Sequence, residues 1–452
     1  MTTADPAAGE RISVDEAAER WGRIAYAFER AFELTAGWIP TVPETLGKVA
    51  LGHLLYLDAL AVDAVRDRLA GLMRPPEGGG DEHPHAAYAA FTNEAVDLRD
   101  SADRAAVLRA WHADIRSAVH TYLDRTDHGW DEPSLRTART VLGLLDDIDT
   151  RLASWGPAAK SPGAAGTSLL GLLERSGGCA RPGTAGQDAI ERRRSAPVRT
   201  PLRQPDLTVL PADEFPGGFR PEPGELMRYQ LHTIAFTVEI CAVEVCSQVI
   251  VRHPDIPWEC KRDLARQVDD EARHFELLAR RVTELGGLMG DYPIHHGIWD
   301  YFTLGTTPLE ELCIQQVIQE GHGLDADVVF ADLCRKDGDR VTARLFDFIG
   351  ADEVGHVRIG TTWMRHFAGG DDDRVLSVFE DCYRRLEEHA FGSRFVVQEK
   401  ERLLAGMTRA QVARARQTVL DTMARTLRKT PGAGGAPGTV TRATSGPGLA
   451  AC

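Results

Sequence analysis

Two stretches 82 residues apart, Asp270-Glu-Ala-Arg-His274 and Asp352-Glu-Val-Gly-His356, carry the same Asp-Glu-x-x-His frame inside segments with helical apolar periodicity. Residues three apart on a helix project from one face, one turn apart, so each frame offers a carboxylate and an imidazole to a single metal ion. One Glu-x-x-His is common by chance. Two copies, each preceded by a helix with an apolar-face glutamate, are a stronger constraint. A four-helix bundle that holds two metal ions needs one Glu from each of two helices and a Glu-x-x-His from each of the other two.

The heights match. The short turns at "HPDIP" and "KDGD" make the flanking helices antiparallel neighbours, so residues equidistant from a turn face one another. Glu239 is level with Glu271 and His274 across the first turn, and Glu320 with Glu353 and His356 across the second. The intervals are 32 and 3 residues in one set and 33 and 3 in the other. Glu244 lies five residues from Glu239, roughly 140° around an α-helix, so the two cannot face the same point. Glu239, Glu271, His274, Glu320, Glu353 and His356 are therefore the expected metal ligands. Asp270 and Asp352, each four residues before a histidine, are expected to accept the free imidazole N–H of their own or the opposite hairpin. Glu244, and Asp325 as the parallel companion of Glu320, are expected in the same surroundings.

Four carboxylates and two neutral imidazoles amount to four negative charges, prohibitive to bury without protonation or metal. Oxygen and imidazole ligands without thiolate favour iron or manganese over structural zinc. Two iron ions are the expected cofactor, with manganese or a mixed Mn/Fe pair as alternatives.

The remaining chain also reads as helical. Residues 1–155 hold four segments of helical periodicity and no strand ladder, which predicts an N-terminal helical bundle. Residues 156–224 are rich in Gly, Pro, Ala and Arg and are expected to form a flexible linker, its arginine cluster solvated. Residues 225–429 contain the four long helices, about Leu226 to Arg252, Trp258 to Leu285, Leu309 to Arg335 and Arg340 to Phe367, followed by helices over Val375–Glu399 and Arg409–Lys429. Residues 430–452 are expected to be a disordered tail. The fold class is all-α: a two-metal four-helix bundle with an additional helical domain.

A formal charge of -15 disfavours nucleic acid and anionic membrane surfaces. His232 to Val251 approaches a membrane-spanning length, but Glu239 and Glu244 sit in its middle, which suits a buried helix better. Eight cysteines without a C-x-x-C pair, and no signal or transit pattern, fit a reducing cytoplasm.

The six ligand positions resemble the pattern of the ferritin-like di-iron carboxylate proteins, and Asp-Glu-Ala-Arg-His resembles the D-E-x-R-H signature of their monooxygenase branch. The second copy has Gly355 in place of the arginine. The stretches "DDEARHFELLARRVTELGGLMGDYPIHHGIW", "QEGHGLDAD", "DEVGHVRIG" and "EKERLLAGMT" are similar to a bacterial ferritin-like branch of poorly defined function. That resemblance covers about residues 225 to 410 and implies the ferritin-like fold and the metal, with no indication of substrate. The N-terminal domain reads as a worn, metal-free copy: with Leu72 laid on Leu285, Asp58-Ala-Leu-Ala61 falls on Glu271-Ala-Arg-His274.

Three functions follow as expectations. The leading one is an O2-dependent oxidase or oxygenase for a small organic substrate, fed by an external electron donor. The others are a ferroxidase or iron-handling protein, and a metal-stabilised interaction protein without catalysis; an oligomer suits any of them. Gly321, Gly323 and Gly360, small residues beside Glu320 and His356, mark the expected substrate pocket, with close helix packing as the alternative. His322, His295, His296, His232 and Trp299 are assigned to interfaces, loops or pocket walls.

Overall fold

The computed structural model describes residues 11–72, 85–156, 160–183, 191–212, 221–393 and 395–429. These residues form an all-α helical bundle; the pairing between Val209 and Ile294 is an isolated parallel bridge. The expected tail at 430–452 lies outside the described residues. The chain divides into two compact units, Met1–Pro205 with Cys246–Ala272, and Asp206–Val245 with Arg273–Cys452.

The first unit contains α1 (Val14–Trp38), α2 (Thr45–Gly71), α3 (Ala86–Glu94), α4 (Ser101–Leu123), α5 (Glu132–Ser154) and α6 (Ala164–Ser176). Ser13 starts α1 by accepting the Glu16 N–H at 3.1 Å, and Asp100 starts α4 through the N–H groups of Ala102 and Asp103. Trp21, Trp38, Trp111 and Trp155 are fully buried in the core between these helices.

Helix α6 corrects the linker expectation. The leucines in "SLLGLL" give the segment an apolar face that the Gly/Ala-rich average hides, and Leu169 and Leu173 are buried where α6 packs on α3 and α4. The following stretch is hydrogen-bonded as well: the N–H groups of Arg193, Val198 and Leu202 donate to Asn93, Gln248 and Pro40. Its arginines also pair with acids, Arg192 with Glu29 at 3.5 Å, and, in half-exposed surface pairs that remain solvated as expected, Arg193 with Asp97 at 2.8 Å and Arg194 with Asp255 at 3.2 Å.

Two further long helices are α7 (Leu226–Arg252) and α8 (Trp258–Glu284). Their hairpin end, residues 246–272, groups with the N-terminal helices, contrary to a domain starting cleanly at 225. Trp258 packs on Phe32 with the rings tilted by 59° and their centroids 5.1 Å apart, and donates its indole N–H to Asp63 at 2.6 Å. Glycine at 52 leaves room for Val268 and Ala272, which lie 3.2 and 3.3 Å from where a Cβ would be.

The second unit continues with α9 (Gly297–Phe302), α10 (residues 308–336), α11 (Arg340–Phe367), α12 (Asp372–Glu388), α13 (Glu399–Leu404) and α14 (Arg409–Lys429). Helices α10 and α11 form a hairpin about Gly338, whose φ of 81° is left-handed. Asp339 caps α11 by accepting the Thr342 N–H at 3.0 Å, and Arg281 of α8 reaches the same carboxylate at 3.0 Å. The helix expected to run to Glu399 stops at Glu388, because Ala390 takes a φ of 64°. Thr45–Gly71 and Leu226–Arg252 are long and apolar enough to cross a membrane, but most of the apolar stretch of each is buried inside the protein.

Two of the long helices contain a π-helical turn. One covers Ile234–Glu239 within α7 and the other Cys313–Gln319 within α10, so each runs directly into an expected ligand, Glu239 or Glu320. Single π turns inside α-helices are rare and occur often at functional sites.

Candidate metal centre

Glu239, Glu271, His274, Glu320, Glu353 and His356 are all buried. Among the described residues, two groups of potential metal ligands emerge: Glu271, Glu320, Glu353 and His356, and Glu239, Glu271 and His274. Within each group the ligand atoms lie within 4.8 Å of one another. Glu271 belongs to both. The His274 Nδ1 atom is 3.6 Å from Glu239 and 3.7 Å from Glu353, His356 Nδ1 is 3.3 Å from Glu353, and the imidazole centroids are 5.8 Å apart. Carboxylate and imidazole atoms so gathered, with charge that burial penalises, fit divalent or trivalent cations with oxygen and nitrogen preferences.

The residues expected around the ligands divide. The Asp352 carboxylate lies 3.2 Å from His274 Nε2 and is also bonded by Arg273. Burial pushes the Asp352 pKa up, but these hydrogen bonds and the Arg273 charge outweigh it and hold the group at about 2. The carboxylate thus accepts an N–H from the opposite hairpin, leaving Nδ1 of His274 turned to Glu239 and Glu353. Asp270 pairs with Arg266 at 3.8 Å. Glu244 is fully buried but falls outside both ligand groups. Asp325 also has a different role from the one expected. It forms a fully buried ion pair with Arg402 at 2.7 Å and accepts the Gln398 N–H at 2.8 Å, tying α13 to α10.

The glycine pocket is corrected at two of its three positions. A Cβ on Gly360 would lie 2.7 Å from both Gln316 Cβ and Val317 Cγ2, so this glycine serves close packing of α11 on α10. A Cβ on Gly321 would fall 2.6 Å from Arg402 Nη1, and the Gly321 carbonyl accepts from the same guanidinium at 2.7 Å. Gly323 alone faces the centre, its Cβ position 3.9 Å from Glu353 Oε2.

Sequence reasoning missed two glutamines. Gln267 donates to Glu271 Oε1 at 3.1 Å, and Gln315 to Glu320 Oε1 at 2.6 Å. Each amide occupies one oxygen of a ligand carboxylate. Gln267 precedes Glu271 by four residues, a spacing that a helix-face reading can find. Gln315 precedes Glu320 by five, which an α-helix puts on different faces; the π turn, with its i to i+5 bonding, brings them together. Gln319 extends the chain, donating to Gln315 Oε1 at 2.8 Å and to the Ile298 carbonyl at 3.4 Å.

The other histidines have partners of their own. His322 meets the Tyr383 hydroxyl at 3.2 Å and packs on Phe391, and burial lowers its pKa strongly. His232 accepts the Gly290 N–H at 3.0 Å, stacks on Phe236, and is held by burial at about 4. In the crossing loop, burial and then His296 hold His295 at about 4, and its N–H donates to Thr237. Trp299 is buried beside Phe302. In the first unit, Asp58, laid on Glu271 by the internal alignment, is fully buried against His112 at 2.9 Å, and the second ring nitrogen of His112 bonds the Leu108 carbonyl.

A curated relative, an uncharacterized protein of Haemophilus influenzae, is 25% identical over 152 residues, which is 33% of this chain and 52% of that protein. The chain thus spans about half the length of the curated relative it matches. No solved structure matches the chain significantly. Residues 176–413, more than half of the chain and including every candidate ligand, match the family described as "Protein of unknown function (DUF455)", and the chain belongs to that family.

Proposed function

We propose that this protein is a ferritin-like di-iron carboxylate protein that acts as an O2-dependent oxidase or oxygenase on a small organic substrate in a reducing cytoplasm. The observation that carries the reading is the pair of buried ligand groups with Glu271 in common. A carboxylate shared by two groups suits two ions held side by side. Iron bound there supplies the redox chemistry with O2 that the side chains lack.

The chain's own residues support this assignment. Asp352 orients His274, and Gln267 and Gln315 each hold one oxygen of Glu271 and Glu320, leaving the other oxygen for a metal. Partners of this kind fix ligand orientation and basicity. The π turns ahead of Glu239 and Glu320 set the angle at which those carboxylates enter. All seven described cysteines are free thiols, as a reducing compartment requires. Electrons would come from a separate donor protein or from the substrate.

The test is an anaerobic ferrous titration followed by O2. Two ions bound per chain, with O2 consumed only when both are present and faster with a substrate, support the proposal. Continued uptake of ferrous ion into a ferric mineral would favour an iron-handling role. Metal binding without O2 consumption would leave a structural site, and no binding of iron or manganese would end the metal reading.

A further inference from the structure

The stretch Arg192-Arg-Arg-Ser195 carries three arginines that the metal centre does not use. It is held in one course on the first unit. Arg30, wholly buried in α1, donates to the Arg193 carbonyl at 2.9 Å, and Asn93 bonds the Glu191 carbonyl and the Arg193 N–H, each at 2.9 Å. Gly37 completes the seat, because a Cβ there would overlap the Ser195 side chain. So held, the stretch lines an open hollow of about 390 Å³ within the first unit. Leu34 of α1, with Ile250 and Pro254 near the α7–α8 turn, gives the hollow apolar surface. Arg30, Arg193, Arg194, Ser195 and Lys261 give it donors and positive charge, and Glu33 is the one acid among its described lining residues.

The four lining cations are not equally engaged. Arg30 spends its donors on Glu33, Thr92, Asn93 and the Arg193 carbonyl. Arg193 and Arg194 pair with Asp97 and Asp255, whose side chains are 61% and 88% exposed, so both pairs are weak and exchange readily with another anion. Lys261 donates to the Pro254 carbonyl, and no carboxylate of a described residue lies within ion-pair distance of it. The Ser195 hydroxyl makes no hydrogen bond to a described residue. Burial pulls the Lys261 pKa below its usual value; the Glu33 charge opposes that shift and the Arg194 charge adds to it. An anion set beside the amine would favour its charged form.

We propose that this hollow binds the phosphoryl group of a small molecule, with Lys261, Arg194 and the Ser195 hydroxyl as donors and Leu34 and Ile250 against the molecule's apolar part. Guanidinium, ammonium and hydroxyl groups are the donors that phosphate oxygens take up in charge-assisted hydrogen bonds. Arg30 and Asn93 are positioning residues: they fix the course of the stretch that brings Arg194 and Ser195 to the hollow. A lining of four cations and one carboxylate runs against the chain's net charge of -15, so the positive charge here is a local feature of the fold. Small-molecule sites combine an apolar lining with a few placed polar groups in this way. The proposal does not depend on metal at the candidate centre.

Inorganic phosphate and phenyl phosphate are the probes. The full-length protein, as purified and after chelation, is titrated with each by calorimetry at constant ionic strength, with chloride as the reference. Both should bind saturably, phenyl phosphate the more tightly because its ring meets the apolar surface. Lysine acetylation mapped by mass spectrometry should show Lys261 protected by phenyl phosphate, and the exposed Lys336 and Lys400 unprotected. Lys261→Gln and Arg194→Gln should each weaken binding of phenyl phosphate about tenfold or more, the loss expected for one hydrogen bond to a charged group. Lys336→Gln should leave it unchanged. The proposal is overturned if phenyl phosphate does not bind saturably, if both substitutions at 261 and 194 leave its affinity unaltered, or if benzoate binds as tightly, which would make the hollow a carboxylate site. The wild-type titration requires no variant to fold, and its result in chelated protein is independent of the oxidase proposal.

Discussion

Each candidate ligand has a role that a single substitution can separate. Glu271 is common to both ligand groups and Glu239 belongs to one. Glu271→Ala is therefore expected to abolish binding of both ions, while Glu239→Ala leaves about one, as read by metal analysis after equilibrium dialysis against ferrous or manganous ion. Gln315→Leu removes the donor from Glu320 but leaves the ligand set complete. Loss of such a supporting contact typically weakens metal affinity by about 10–100-fold. Competition with a calibrated chelator measures that change, and an unaltered affinity would mean that the amide has no part in holding the carboxylate.

At the level of elements, the glycines beside the centre have opposite expected responses. Gly360→Ala would drive a methyl to 2.7 Å from two side chains and 3.1 Å from the Gln316 carbonyl carbon. Overpacking of this kind costs about 1–3 kcal/mol. Gly323→Ala meets only the Glu353 carboxylate, at 3.9 Å. That substitution in a helix should stabilise by about 0.5–1 kcal/mol. Urea denaturation of the two variants distinguishes a packing glycine from an open one. Helix α11 also depends on its cap. Burial raises the Asp339 pKa, but hydrogen bonds from Thr342 and Arg281 and the Arg281 charge pull it below the ordinary 3.8. A depressed carboxyl contributes stability above its unfolded pKa and loses it as pH falls through the folded one. Asp339→Ala should therefore lower stability at neutral pH by about 1 kcal/mol, the usual value of a cap. The difference from wild type should shrink below pH 3.8, as thermal melts across that range would record.

For the molecule as a whole, the proposed metal site would make metal a component of stability. An ion that binds only the folded chain stabilises it by about 2.7 kcal/mol when its free concentration is a hundred times Kd. Stripping metal should lower the melting temperature, and ferrous or manganous ion should restore it in proportion to the logarithm of its concentration. Calcium or magnesium, which prefer all-oxygen sites, should restore less. A melting temperature indifferent to chelation would contradict a loaded centre.

Much of this was legible in the chain. The helical character of Leu226–Arg252, Trp258–Glu284 and Arg340–Phe367 follows from apolar periodicity, which depends on local spacing alone. The residues of the two ligand groups were likewise legible, because helix pitch and turn position convert residue number into height and face. What only the tertiary structure decided depends on contacts between segments distant in the chain. Gly360 and Gly321 read identically to pocket glycines until Gln316, Val317 and Arg402 are brought against them. Asp325 looked like a companion of Glu320 until Arg402, 77 residues away, paired with it. The Gln315–Glu320 contact depended on a π turn whose widened hydrogen bonding no spacing rule anticipates. Periodicity reports which way a side chain points on its own helix, and only packing determines what it meets there.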